Sequence, residues 1–178
     1  MEKIHVLDKD FTISIREEEI LKEVDRVAKE INRDLAGKNP LFLSVLNGAF
    51  MFTSDLMKRI TIPCELQFVK FSSYDGMNTT GKVKKMIGLK GDIKGRTVVI
   101  VEDIVDTGIT MKNILEDLKE QEPAELHVCT LMVKPEKLKV NLDLKYVAME
   151  IPNGFIVGYG LDYDEYGRNY PNIYTVVK

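Results

Sequence analysis

From Ser14 to Gly37 the apolar residues Ile20, Leu21, Val24, Val27, Ala28, Ile31 and Leu35 recur at helical spacing between charged positions. That periodicity predicts an amphipathic helix, with Ser14 and Glu17 as a capping box at its start and Gly37 as its stop. LFLSVL, Leu41 to Leu46, is a short apolar run ending in Asn47-Gly48, and FMFTSDLMKRI behind it is again helical in pattern. CELQFVKFSSY predicts a strand, DGMNTTGK a mobile polar loop, and KVKKMIGL a returning strand. After a turn bracketed by Gly91 and Gly95, TVVIV is apolar without interruption, as a strand buried on both faces of a parallel sheet must be. Met111, Ile114, Leu115 and Leu118 then fall on one helical face, and Pro123 closes that helix. LHVCTLMV, Leu126 to Val133, and YVAM, Tyr146 to Met149, predict two more strands before a tail rich in Gly and Tyr from Ile151 to Lys178.

Strands alternating with helices imply an α/β fold whose central sheet is mostly parallel and flanked by helices. In such folds ligands sit beyond the carboxyl ends of the strands. Three ends qualify: Asn47-Gly48 after LFLSVL, Glu102-Asp103 after TVVIV, and Lys134 after LHVCTLMV. They are expected to share one crevice.

Composition narrows the function more than the fold. With 178 residues, 44% hydrophobic and 30% charged, one globular domain is expected, and disorder is not. The net charge of -3 lacks the basic footprint of a duplex-binding protein, so small molecules are the expected partners and nucleic acid is not. The segment MEKIHVLDKD has no apolar core of a signal peptide, and no run reaches membrane-spanning length, so no membrane partner is expected. Cys64 and Cys129 lie far apart in apolar runs, which fits reduced thiols and a cytoplasmic location. His5 and His127 are the only histidines, so a bound metal must rely on oxygen ligands.

The stretch VVIVEDIVDTGITM, Val98 to Met111, sets carboxylates against a helix start, where anions are normally welcome. The N–H groups from about Asp106 to Thr110 have no helical partners, Gly108 permits close approach, and Thr107 and Thr110 add hydroxyls. Together they form a small phosphate cradle. Neither GxxxxGK[ST] nor GxGxxG is present, which disfavours a nucleoside triphosphate or NAD. Glu102 and Asp103 point to opposite sides if the strand runs through them, whereas a bend would turn both towards one ligand. Carboxylates beside a phosphate suit sugar hydroxyls or magnesium, and phosphoribosyl diphosphate presents phosphate, diol and metal-bound diphosphate together. Taken alone, a Glu-Asp pair also fits a solvated strand end before an ordinary helix.

The whole string VVIVEDIVDTGITM resembles the phosphoribosyl diphosphate signature of the purine phosphoribosyltransferases. LNGAFMF from Leu46, FSSYDG from Phe71, LMVKP from Leu131 and EIPNGFIVGYGLDYDEYGR from Glu150 to Arg168 follow in that family's order. The resemblance spans most of residues 40 to 170 and is closest to the bacterial hypoxanthine and hypoxanthine-guanine branch. It implies a type I phosphoribosyltransferase-like fold, a single domain over residues 1–178, with a core at about 16–150 and a small hood from about 1–15 and 151–178.

It also implies a reaction: transfer of phosphoribose from phosphoribosyl diphosphate to N9 of hypoxanthine or guanine, with magnesium as cofactor and pyrophosphate released. Carried over residue by residue, Glu102 and Asp103 hold the ribose hydroxyls, Asp106 faces N7 of the base and handles its proton, and Thr107, Gly108, Ile109 and Thr110 cradle the 5-phosphate. Lys134 donates to the 6-oxo group, Phe155 stacks on the base, and Ile156 and Asp162 line its far edge through backbone atoms. Glu102, Asp103 and Asp162 are the metal ligands. Asn47, Gly48 and Arg168 bind pyrophosphate, although many relatives have Lys or Arg at the position of Asn47. Ser73 and Tyr74 belong to a stretch, running to Gly81, that is long enough to close over a reactive sugar cation as a lid. The family also implies a homodimer or homotetramer. A xanthine-guanine enzyme and a non-catalytic regulator that senses phosphoribosyl diphosphate and binds nucleic acid are the alternatives.

Overall fold

In a computed structural model, the structure describes residues 3–72 and 85–177. The expected lid, including Ser73, Tyr74 and Gly81, lies outside the described residues. In chain order the elements are β1 (Lys3–Val6), β2 (Lys9–Ile15), α1 (Glu17–Asp34), β3 (Leu41–Val45), α2 (Phe50–Met57), β4 (Glu65–Ser72), β5 (Lys85–Ile87), β6 (Thr97–Val105), α3 (Ile109–Lys119), β7 (Glu125–Val133), β8 (Tyr146–Glu150), β9 (Ile156–Val157) and β10 (Ile173–Val176).

The central sheet has the order β5-β4-β3-β6-β7-β8. Every pairing in it is parallel except β5 against β4. Every residue of β3 and the first five of β6 are buried, which is why both read as unbroken apolar runs. Alternation sorts β6 between two cores. Val99 and Val101 pack with Ile20, Val24 and Ile31 of α1 and Phe52 of α2, while Val98 and Ile100 meet Met111, Ile114 and Leu118 of α3. An isolated helix of 11 residues is marginal in water. Burying those three α3 side chains contributes about 1.5–3 kcal/mol each, so packing rather than propensity holds α3 in place.

A second, antiparallel sheet of order β1-β2-β10-β9 forms the hood. It corrects the expected start of α1. Ser14 belongs to β2, where its hydroxyl donates to the Ile173 carbonyl at 3.1 Å. The cap is instead Arg16, whose N–H donates to the Glu19 carboxylate at 2.9 Å. Pairing of β2 with β10 took the residue that local spacing assigned to the cap. At the other end α3 stops at Lys119 rather than running to Pro123. Glu122 turns into the left-handed region at φ 54° and its carbonyl accepts from the Gly95 N–H. Cys64 likewise precedes β4 rather than lying within it.

Candidate active site

The carboxyl ends of β3, β6 and β7 do meet, and glycine is what lets them. A Cβ on Gly48 would collide with the Asp103 carboxylate, and a Cβ on Gly160 would collide with the Gly48 carbonyl. Asp103, Gly48 and Gly160 therefore lie in one line of contact from the middle strand to the hood segment.

Beside that line, Glu102, Asp103, Asp106, Thr107, Gly108, Thr110 and Met111 border a cavity of about 230 Å³. β6 continues through Glu102 and Asp103 to Val105 without the bend that the sequence left open. Both residues border the same cavity, and each carboxylate folds onto the N–H of the residue that follows it. Glu102 accepts from the Asp103 N–H at 3.0 Å, and Asp103 accepts from the Ile104 N–H at 2.7 Å. Gly108 sits at the N-cap of α3 with φ 80°, against Leu142 and Val140, and a side chain there would be both strained and crowded. The Thr107 hydroxyl accepts from the Ile109 N–H at 3.4 Å, so Ile109 is already turned into the first turn of the helix.

Next to the cavity is a cationic cluster. Lys134 is only 6% exposed. Its Nζ donates to the Gly154 carbonyl at 2.8 Å and lies 3.7 Å from Asp106 Oδ2. Lys137, one turn further along the same loop, approaches the same oxygen at 3.5 Å. The other Asp106 oxygen, Oδ1, is buried and accepts no hydrogen bond. Leaving a buried acceptor unpaired costs about 1–3 kcal/mol, so Oδ1 is a natural landing point for an N–H donor on a ligand.

Directly after Gly154, the Phe155 ring is 42% exposed. Phe11 supports it at 5.9 Å and Tyr163 at 5.4 Å, the latter edge-on. Ile156 is buried in β9 opposite Thr175. Of the two aromatic residues in FIVGY, Tyr159 is the core residue, at 1% exposure, and Phe155 presents a face.

The remaining residues gather at the hood. Arg168 donates to the Gly160 carbonyl at 2.8 Å and pairs with Asp162 and Glu165, both at 3.1 Å. Its Nε is buried without a partner. Gly48 meets this group through Gly160, while Asn47 stands just after β3, following a cis Leu46–Asn47 peptide.

Glu102, Asp103 and Asp162, expected as metal ligands, do not converge: among the described residues no three His, Cys, Asp or Glu side chains form a metal cage. That arrangement fits magnesium, which takes one or two carboxylates and completes its shell with water and substrate phosphate oxygens. Sequence reasoning missed Lys137, Gly160 and the Phe11 and Tyr163 supports. Lys137 shares a loop with Lys134 and Gly160 lies within a quoted motif, but Phe11 is more than a hundred residues from the ring it backs.

Comparison with known proteins bears on the family and the fold. A model of the phosphoribosyl transferase domain matches residues 14–164. A hypoxanthine-guanine phosphoribosyltransferase of Aquifex aeolicus is 39% identical over 170 residues, covering 94% of this chain and 96% of that protein. A hypoxanthine phosphoribosyltransferase of Haemophilus influenzae is 38% identical, covering 99% and 98%. The crystal structure of a hypoxanthine-guanine phosphoribosyltransferase from Bacillus anthracis superposes with a TM-score of 0.85 at 39% identity, covering 94% of this chain and 97% of that one. With a mostly parallel sheet, an acidic strand end bordering a cavity, a hood and the domain match over residues 14–164, the chain belongs to the phosphoribosyl transferase family.

Proposed function

We propose that this chain is a purine-salvage enzyme that transfers phosphoribose from phosphoribosyl diphosphate to N9 of hypoxanthine and of guanine, giving IMP or GMP and pyrophosphate. One observation carries the reading: at the border of the Glu102–Thr110 cavity the buried Lys134 ammonium lies against Asp106, whose Oδ1 has no partner, and it donates to the Gly154 carbonyl directly before the exposed Phe155. A 6-oxopurine matches that set with an acceptor for Lys134, an N–H for Asp106 and a π-face for Phe155. The relatives named for hypoxanthine and guanine support the same base class.

In this reading the 5-phosphate lies on the N–H groups from Asp106 to Thr110, and Glu102 and Asp103 accept from the ribose hydroxyls. Breaking the anomeric bond leaves positive charge on the sugar and negative charge on the departing pyrophosphate. Glu102 and Asp103 flank the sugar, while Arg168 and the N–H groups of the Asn47-Gly48 turn receive the leaving group. Asp106 accepts the proton at N7 as N9 forms its new bond, and Lys134 holds the 6-oxo oxygen. Magnesium would be held by one carboxylate at a time, Asp162 on the hood side or Glu102 or Asp103 on the sugar side, and would supply charge neutralisation for the diphosphate.

Two free cysteines accord with a cytoplasmic site of action. Among the described residues no helix is long and apolar enough to cross a membrane. A homodimer or homotetramer is the proposed assembly.

The test is a spectrophotometric assay with magnesium and phosphoribosyl diphosphate, offering hypoxanthine, guanine, xanthine, adenine and uracil in turn. Turnover of hypoxanthine and guanine that disappears without magnesium is expected. Preference for xanthine, or tight phosphoribosyl diphosphate binding with no turnover of any base, would overturn the assignment.

A further inference from the structure

Gly158, Tyr159 and Gly160 are three successive residues with φ of 104°, 49° and 97°. Gly158 and Leu161 exchange backbone hydrogen bonds across them, both at 3.0 Å. Tyr159 and Gly160 are therefore the central pair of a two-residue turn whose φ values have the type I′ form. Asn or Gly is favoured at the first of those positions, and a bulky side chain sits there against its conformational preference.

The Tyr159 N–H donates to the Tyr170 carbonyl at 2.7 Å, and two side-chain contacts add to that hold. The Tyr159 ring is buried in the core beneath α1 and α2, and its hydroxyl donates to Asp55 Oδ2 at 2.6 Å. Burial, reinforced by the Asp55 acceptor, pushes the hydroxyl far above the usual tyrosine range, so it remains a donor at any working pH. Asp55 lies on α2, the helix that runs straight out of the Asn47-Gly48 turn. Its other oxygen is held by Lys58 at 3.0 Å. Gly160, next to Tyr159, touches the Gly48 carbonyl and makes backbone and side-chain hydrogen bonds to Arg168, at 2.9 and 2.8 Å. A phenylalanine would fill the ring's space equally well. The hydroxyl adds a directional tie from the turn to α2, which the ring's packing against Phe52 and Leu56 does not supply.

We propose that the Tyr159–Asp55 hydrogen bond sets the spacing between the Asn47-Gly48 turn and Arg168, and so shapes the pyrophosphate subsite. This rests on the substrate reading above. Tyr159 and Asp55 are positioning residues, and neither borders the cavity itself.

The experiment uses the full chain with Tyr159→Phe, Asp55→Ala, Asp55→Asn and the double variant Tyr159→Phe/Asp55→Ala. It reads calorimetric binding of magnesium pyrophosphate, the KM of each substrate, and amide hydrogen exchange in residues 46–50 and 158–162. Tyr159→Phe and Asp55→Ala are each expected to weaken pyrophosphate and raise the phosphoribosyl diphosphate KM about tenfold, with the double variant no worse than either alone. Exchange should quicken in both segments while the hypoxanthine KM stays within about twofold. Asp55→Asn, which keeps an oxygen acceptor, should restore all three readings.

If the unaltered chain binds pyrophosphate but Tyr159→Phe binds it equally well with unchanged exchange, the positioning role is wrong. Equal losses for both substrates with a lowered Tm would also overturn it, leaving a fold support only. If the unaltered chain itself fails to bind pyrophosphate, the substrate reading falls and takes this proposal with it.

Discussion

The Lys134 ammonium lies between the Gly154 carbonyl at 2.8 Å and the Asp106 carboxylate at 3.7 Å, buried on a loop that ends a central strand. A cation in that position turns from its resting partners to a ligand's acceptor by a small side-chain movement. Lys134→Ala removes a charged donor of the kind that contributes about 1.5–3 kcal/mol. We expect the KM for hypoxanthine to rise about tenfold or more while phosphoribosyl diphosphate affinity stays nearly constant. Steady-state kinetics with each substrate varied would check this. An unchanged preference for hypoxanthine over adenine would refute the role.

Asp106→Asn keeps the size of the side chain and loses its charge and basicity. Phosphoribosyl diphosphate should still bind, because the backbone cradle is untouched, while turnover drops about 100-fold or more, in the range of a lost general base. Isothermal titration beside a rate measurement separates the two effects.

Phe155 is the exposed aromatic face of the site. Base stacking on such a ring contributes about 1–3 kcal/mol. Phe155→Ala should therefore weaken purine binding about fivefold or more without moving Tm appreciably, since little of the ring is core. A large fall in Tm would make Phe155 a structural residue instead.

Gly48→Ala forces a methyl group into the Asp103 carboxylate. We expect a loss of about 1–3 kcal/mol in stability together with weaker phosphoribosyl diphosphate binding. Adding Asp103→Ala should recover the stability but not the activity. Thermal melts of the single and double variants decide between collision and a general loop defect.

Cys129 is buried in β7, and burial pushes its thiol well above the usual range. Cys64 is raised more modestly, also by burial. Neither is a thiolate near neutral pH. A colorimetric thiol titration of the native protein should label Cys64 slowly and leave Cys129 unreacted, with both thiols reacting once denaturant opens the core.

The central sheet could be read from the chain because its information is local. Val98 to Val101 form an unbroken apolar run that demands burial on both faces, and Met111, Ile114 and Leu118 repeat at helical spacing. The hood was legible only through the family resemblance and not from local pattern, because its strands are defined by partners far away. Ser14 carries a plausible local signal for a cap, yet Ile173 takes its hydroxyl from 159 residues down the chain. Within the site, Glu102, Asp103 and Asp106 stood out because carboxylates at a helix entrance are conspicuous. Lys137 and Phe11 did not, because an exposed loop lysine and a strand phenylalanine look ordinary until the fold brings them to Asp106 and Phe155.

The small sheet joins β1 and β2 to β9 and β10, so strands made first wait for strands made last. The platform that carries Phe155, Asp162 and Arg168 has no second wall until Ile173–Val176 is in place. Closing this sheet is a long-range step of the kind that is slow beside local helix formation, so the hood is expected to complete late in folding.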